Sequence, residues 1–167
     1  MNVEVIRSLY TYNRWANERL LTAAAQLPDE RTRKHFGASF ATIHGTLAHV
    51  LAAEIIWLHR WQGESPTKLL DGDDFASLAE IRTRWDQQHR EMDAFLATLT
   101  PERLVTPLQY TNTRGQSLVY PLWQMMLHVV NHGTHHRSEI ADMLTRADAP
   151  PPPLDLVAYY AELTGQG

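Results

Sequence analysis

The chain has no cysteine. That one absence excludes a disulfide scaffold, a thiolate zinc ribbon, an iron–sulfur centre and a cysteine nucleophile. It has no excess of positive charge either: 15 Lys and Arg stand against 19 Asp and Glu, a net charge of −4. A mildly acidic chain without a basic, aromatic groove is poorly matched to nucleic acid or anionic lipid. Long apolar runs are also missing, because Glu54, His128 and Asn131 interrupt the longest of them. Nothing remains that could span a bilayer. The opening residues, MNVEVIRSLYTYNRWANERL, lack the apolar stretch of a secretory signal. Together these absences lead us to expect a cytoplasmic protein that binds neither membrane nor nucleic acid. What the chain does have is histidine: nine in all, four of them between positions 128 and 136.

With 167 residues, 44% of them hydrophobic, the chain is long enough for one domain with a self-sufficient core. Apolar residues recur every three to four positions over four long stretches, which predicts helices. The first covers residues 3–27 and stops at Pro28. The second covers 39–62, with Ser39 as N-cap and Gly63 as stop. The third covers 75–99, ahead of Pro101, and the fourth runs from Pro121 to about residue 147. Between the last two, residues 104–120 are rich in β-formers around Gly115 and predict a small hairpin or extended excursion. A short helix over 154–163 follows the proline run, docked through Tyr159 and Tyr160. The expected fold is all-α, a four-helix bundle with that excursion before the last long helix. Trp15, Trp85 and Trp123 read as core or groove-lining residues, and the acidic cluster 71–74 as a solvated loop.

At about 100° per residue, His128, His132, His135, His136 and Glu139 share one arc of the fourth helix, roughly 100° wide. Histidines four apart can hold one ion from a single helix face. Two such pairs exist, His128/His132 and His132/His136, and the spacing does not choose between them. Neither is an HExxH motif, which removes the zincin protease reading. The competing explanation is a solvated polar face. In the second helix, His49 sits among Thr42, Gly45, Thr46, Ala52 and Ala53, small residues that leave room for an ion and a ligand. The opposite side carries Ile43, Leu47, Leu51, Ile55 and Leu58. His44 lies about 140° from His49 and cannot share its site, while His59 reads as a rim residue. His35 and His89 read as ordinary exposed residues.

These segments resemble the DinB/YfiT-like family. The likeness runs over nearly the whole chain, from YNRWANERLL through LAHVLAAEIIWL to PLWQMMLHVVNHGTHHRSEI. The resemblance implies one four-helix-bundle domain over residues 1–167. It also implies a divalent metal ion held by one His of the second helix and two of the last. Carried over residue by residue, the ligands are His49, His132 and His136. The family commonly continues HHRGQ where this chain reads HHRSE. Glu139 is therefore either an acceptor for a ligand His N–H or a local base, against the plain alternative of a charge facing a wet cleft. Arg137 keeps its family position, to pair with a carboxylate across the bundle or to meet an anionic substrate.

Three neutral histidines leave open positions on an ion, as catalytic sites do, and suit Zn²⁺ or Ni²⁺. Mycothiol-dependent maleylpyruvate isomerases and bacillithiol S-transferases are related by fold. The resemblance thus implies a metal-dependent transferase or isomerase acting on a small electrophile with a low-molecular-weight thiol. A metal-activated hydrolase is the second enzyme reading. The non-enzymatic rivals are a metal- or small-molecule-binding bundle and a structural dimer with pH-sensitive histidines. The aliphatic back of the second helix and the five Trp suit a homodimer interface.

Overall fold

The computed structural model describes residues 2–37 and 39–166. Helix α1, Val3–Ala24, starts where the Asn2 side chain accepts the Glu4 N–H at 2.8 Å. A single turn, α2 (Asp29–Thr32), follows Pro28. Helix α3 is Ile43–Trp61. Its cap is Thr42, whose hydroxyl accepts the Gly45 N–H at 2.9 Å, and not Ser39 as expected from sequence. The reason is local: Ala41 adopts φ 62°, and Thr42 N–H donates to the Phe40 carbonyl at 2.7 Å. This tight turn keeps residues 39–41 out of the helix.

Helix α4 is Leu78–Ala97, capped by Ser77, so it begins later than its apolar pattern suggested. The acidic cluster ahead of it forms a 3₁₀ turn, Gly72–Asp74. There Asp71 accepts from Asp73 N–H and Asp74 accepts from Asp71 N–H, both at 2.9 Å. A short α5 (Pro101–Val105) leads into the antiparallel strands β1 (Pro107–Thr111) and β2 (Ser117–Pro121), with Tyr110 opposite Leu118. The hairpin turn is held by Asn112, whose Oδ1 accepts from the N–H groups of Arg114 and Gln116. Gly115 there sits at φ 76°, where a side chain would be strained. Helix α6, Leu122–Arg146, and α7, Leu156–Leu163, complete the chain. The mostly helical bundle with a two-stranded hairpin before the last long helix is the architecture expected.

Helix α6 packs on α1 and α3, α3 packs on α4, and α4 packs on α1, closing a ring of four. The core is divided. Near one end, Ile6 and Tyr10 of α1 meet Leu58 and Trp61 of α3, Met92 and Phe95 of α4, and Met126 and Val129 of α6. Near the other, Leu20, Leu47, Leu51, Ile81, Trp85, Ile140 and Met143 cluster. The first cluster takes the early residues of α1 and α6 and the late residues of α3 and α4. Those two pairs therefore run in opposite directions, and the link from α3 to the parallel α4 must be long.

Between the apolar halves lies a buried polar layer: Asn13 and Asn17 of α1, Glu54 of α3, Gln88 and His89 of α4, and Arg137 of α6. His89 corrects the sequence reading, being only 6% exposed and set against Trp85 one turn earlier. Its position on the inner stripe of α4 outweighs its polarity. Tyr160 is exposed, and α7 is docked by Tyr159 against Tyr12 and Trp15, with Leu156 beside them and Glu162 accepting from Trp15 and Arg19. Trp85 is buried and Trp123 packs at the edge of the core, as expected. The aliphatics that suggested a subunit interface, Ile43, Leu47, Leu51 and Leu58, are used by the chain's own core.

Candidate metal centre

Helices α3 and α6 bring His49, His132 and His136 together, and one ligand nitrogen of each lies within 4.8 Å of the other two. The Nε2 atoms of His49 and His132 are 3.2 Å apart. Two imidazole nitrogens bound at about 2.0–2.1 Å to one tetrahedral ion stand roughly 3.3 Å from each other. The spacing of that pair is compatible with a shared cation, and the three residues could hold a metal ion. The sequence reading expects the small residues around His49 to leave room for an ion and a ligand. At Gly45 that room is taken by the chain itself, since a Cβ there would meet the Phe40 carbonyl oxygen and the Thr42 hydroxyl at 3.0 Å each. That absence of bulk lets the turn of Phe40 to Thr42 lie down on α3. Phe40 stacks on the His49 ring at 3.8 Å and presents its edge to His136 at 5.4 Å.

His136 is almost fully buried, and its Nδ1 is 2.7 Å from Glu139 Oε2. With Nδ1–H donated to the carboxylate, the lone pair belongs to Nε2, the tautomer a metal ligand needs. The other oxygen of Glu139 accepts from Ser39 Oγ at 2.7 Å. Desolvation pushes the Glu139 carboxyl up, but the bonds from Ser39 and His136 and the nearby imidazoles outweigh it and hold the pKa below its ordinary value. His135 forms a further group with His136 and Glu139, but its side chain is 70% exposed.

Burial lowers the His49 pKa to about 4, reinforced by the neighbouring His136. Burial and the surrounding histidines lower that of His132 to about 3. Both rings are neutral throughout the physiological range, with lone pairs available. A cavity of about 590 Å³ opens beside His49, lined among others by Arg33, Phe40, Thr42, Asp71 and Asp73. Its size is ample for a small organic ligand.

The remaining candidates are placed elsewhere. The Arg137 guanidinium is buried on the other side of α6, donating to Asn13 and Asn17 at 2.6 and 2.9 Å and to Thr134 at 2.8 Å. None of these bonds reaches the three imidazoles. His44 is buried with its Nε2 3.0 Å from the Gly72 carbonyl oxygen, His59 pairs with Glu64 at the surface, and His35 is exposed. His128 sits one turn before His132, against Trp57 at 5.2 Å. Sequence reasoning missed the carboxylate that Arg137 faces, Glu54, and the two asparagines between them. Their signal was present: Asn13, Asn17 and Glu54 fall on apolar helix stripes where polar residues need partners.

With the geometry in place, relatives can be compared. A sequence model of the DinB family matches residues 1–165. The chain belongs to the DinB family. Protein DinB of Bacillus subtilis (strain 168) is 29% identical over 159 residues, which take in 90% of this chain and 91% of that protein. A DinB-like protein from Bacillus cereus ATCC 10987, known from a crystal structure, superposes with a TM-score of 0.59 at 20% identity, covering 90% of this chain and 95% of that one. At that identity the likeness concerns the fold, the helical bundle that this DinB chain shares with it.

Proposed function

We propose that this DinB-family chain is a divalent-metal-dependent enzyme whose ion is held by His49, His132 and His136. The observation that carries the reading is the 3.2 Å approach of two uncharged Nε2 atoms on different helices, beside a third imidazole oriented by a carboxylate. Without a metal, the facing nitrogens must share a proton in a partly desolvated site; an ion satisfies all three lone pairs at once. An all-imidazole donor set suits Zn²⁺ or Ni²⁺. Such an ion, when bound, supplies Lewis acidity to a coordinated thiol or water.

The protein's own contributions follow from its contacts. Glu139 fixes the His136 ring, Ser39 fixes Glu139, and Phe40 shields one face of His49 from water. The adjoining cavity carries both signs of charge, Arg33 against Asp71 and Asp73. That suits a polar, zwitterionic partner, and we assign the site to transferase or isomerase chemistry between a low-molecular-weight thiol and a small electrophile. Arg137 serves the polar layer in this reading and does not contact the substrate.

Elemental analysis of tag-free protein tests the proposal. About one equivalent of Zn or Ni per chain in the wild type, absent from His136→Ala, is the expected result. No metal in either protein after loading with excess of both ions would overturn it. If metal binds but only water-dependent turnover is found in a screen of thiols and esters, the hydrolase reading replaces the thiol one.

A further inference from the structure

Among the described residues, His128 belongs to neither group of metal-ligand type that includes α6 histidines, His49/His132/His136 or His135/His136/Glu139. It lines a second cavity, about 340 Å³, together with Trp57, Tyr110, Tyr120, Gln124 and Met125. The hairpin creates it: β1 and β2 bring the two tyrosines over α3 and α6. Trp57 meets Tyr110 edge-on at 5.0 Å and His128 at 5.2 Å, so three of the walls are rings held at fixed angles. His128 in turn lies 5.8 Å from His132, which joins this chamber to the metal-ligand cluster. A lining of aromatic faces and one thioether, in a volume near the lower end for small-molecule sites, suits a flat, conjugated group.

A box of rings also suits a quaternary ammonium group. Arg60 decides against that occupant. Its guanidinium carbon lies 4.7 Å from the Trp57 ring centre and 5.0 Å from that of Tyr110, so a cation already uses both rings. Arg60 is only 6% exposed, and its Nε is buried without a hydrogen-bond partner. Among the described residues it forms no ion pair. An arginine in that setting is a standing positive field behind the cavity wall, with no protein carboxylate to cancel it. It repels a ligand cation and attracts an anion. At the rim, the Gln124 amide and Tyr120 hydroxyl are exposed donors.

We infer that the chamber between the hairpin and helices α3 and α6 binds the planar, aromatic end of a carboxylate-bearing organic ligand, with Arg60 selecting the negative charge. As the remote end of the substrate of the three-histidine site, this assignment rests on the function proposed above. As a binding site it stands without it.

Calorimetric titration with three probes of one shape tests the inference: naphthoate, naphthylmethanol and naphthylmethyl-trimethylammonium. Metal-free His49→Ala protein is used beside the wild type, so that direct ligation of an ion by the carboxylate cannot mimic the result. The expected order is naphthoate, then the alcohol, then the ammonium, with naphthoate favoured over the alcohol by about fivefold or more. Arg60→Met should bring naphthoate down to the level of the alcohol, and Arg60→Lys should restore the preference. Trp57→Ala, checked for intact helicity by circular dichroism, should lose both. Equal binding of the carboxylate and ammonium probes, or a carboxylate preference that survives Arg60→Met, would overturn the inference. Such a result beside a normal metal content leaves the three-histidine reading standing. Naphthoate binding beside an absent metal does the reverse.

Discussion

Glu54 and Arg137, opposite charges buried on different helices, are joined through the side-chain amides of Asn13 and Asn17. Each amide donates to Glu54 Oε1, at 2.7 and 2.8 Å, and accepts from Arg137 Nη1, at 2.6 and 2.9 Å. The second carboxylate oxygen accepts from the Trp85 indole N–H at 2.9 Å. The pair thus ties α1, α3, α4 and α6 together across the middle of the bundle. Asn13, Asn17, Glu54, Trp85 and Arg137 are satisfied only as a set, since their polar groups lie between the two apolar halves of the core.

Removing one member should therefore be severe. Glu54→Ala leaves two amide N–H groups and an indole N–H without their acceptor and the buried guanidinium without a counter-charge, and we expect a loss of about 3–5 kcal/mol. Urea denaturation of chelator-treated protein measures it. A double replacement, Glu54→Leu with Arg137→Met, should cost less than the sum of the two single changes, because neither charge is then left alone. Additive losses would show that the two ends are not coupled.

Gly133 gives a sharper test of the same layer. A Cβ there would meet Arg137 Nη1 at 2.7 Å and Asn13 Oδ1 at 2.8 Å, two atoms that are bonded to each other. Gly133→Ala should raise helix propensity by about 1 kcal/mol, yet the crowding should lower stability by roughly 1–3 kcal/mol. A higher unfolding temperature in the alanine variant would mean that the network yields without loss.

Glu139 orients His136 through its 2.7 Å contact with Nδ1, and in the proposed site it does so without binding the ion itself. Glu139→Ala should keep the metal stoichiometry but weaken affinity about 10–100-fold, read by competition with a chromophoric chelator. Glu139→Gln, which can still accept from His136, should fall between the alanine variant and the wild type. An unchanged affinity in the alanine variant would reduce Glu139 to the charge facing a wet cleft.

Acid should destabilise the metal-free protein through the same imidazoles. His49 and His132 have folded-state pKa values of about 4 and 3, below the ordinary imidazole value of 6.5. Between those values the unfolded chain binds protons that the folded chain does not. Stability therefore falls as pH drops through 6.5 and goes on falling until the folded histidines themselves protonate. Buried His89 is shifted the same way, by burial above all, and adds to the slope. Denaturant midpoints of chelated protein between neutral pH and pH 5 should decline, and the decline should be shallower in a His49→Asn, His132→Asn double variant. Equal slopes would place the acid sensitivity elsewhere.

The long helices, the hairpin before the last of them and the histidine face of α6 could all be read from the sequence, because each rests on local periodicity that survives in the folded chain. The wheel also favoured His49 over its neighbours, since space beside a helical residue depends on residues one turn away. The choice between His128 and His136 was not local. It depends on how α3 and α6 are set against each other, which puts His49 Nε2 beside His132 and within reach of His136 but leaves His128 against Trp57. Ser39 reads as an N-cap by residue type, yet the positive φ of Ala41 swings it onto Glu139, a hundred positions away. His89 looked exposed by its chemistry and is buried by its register. The sequence determined which residues lie on which face of each helix. Only the packing of four helices decided which polar groups on those faces meet, because hydrogen bonds and ligand sets depend on distances of a few ångströms between segments far apart in the chain.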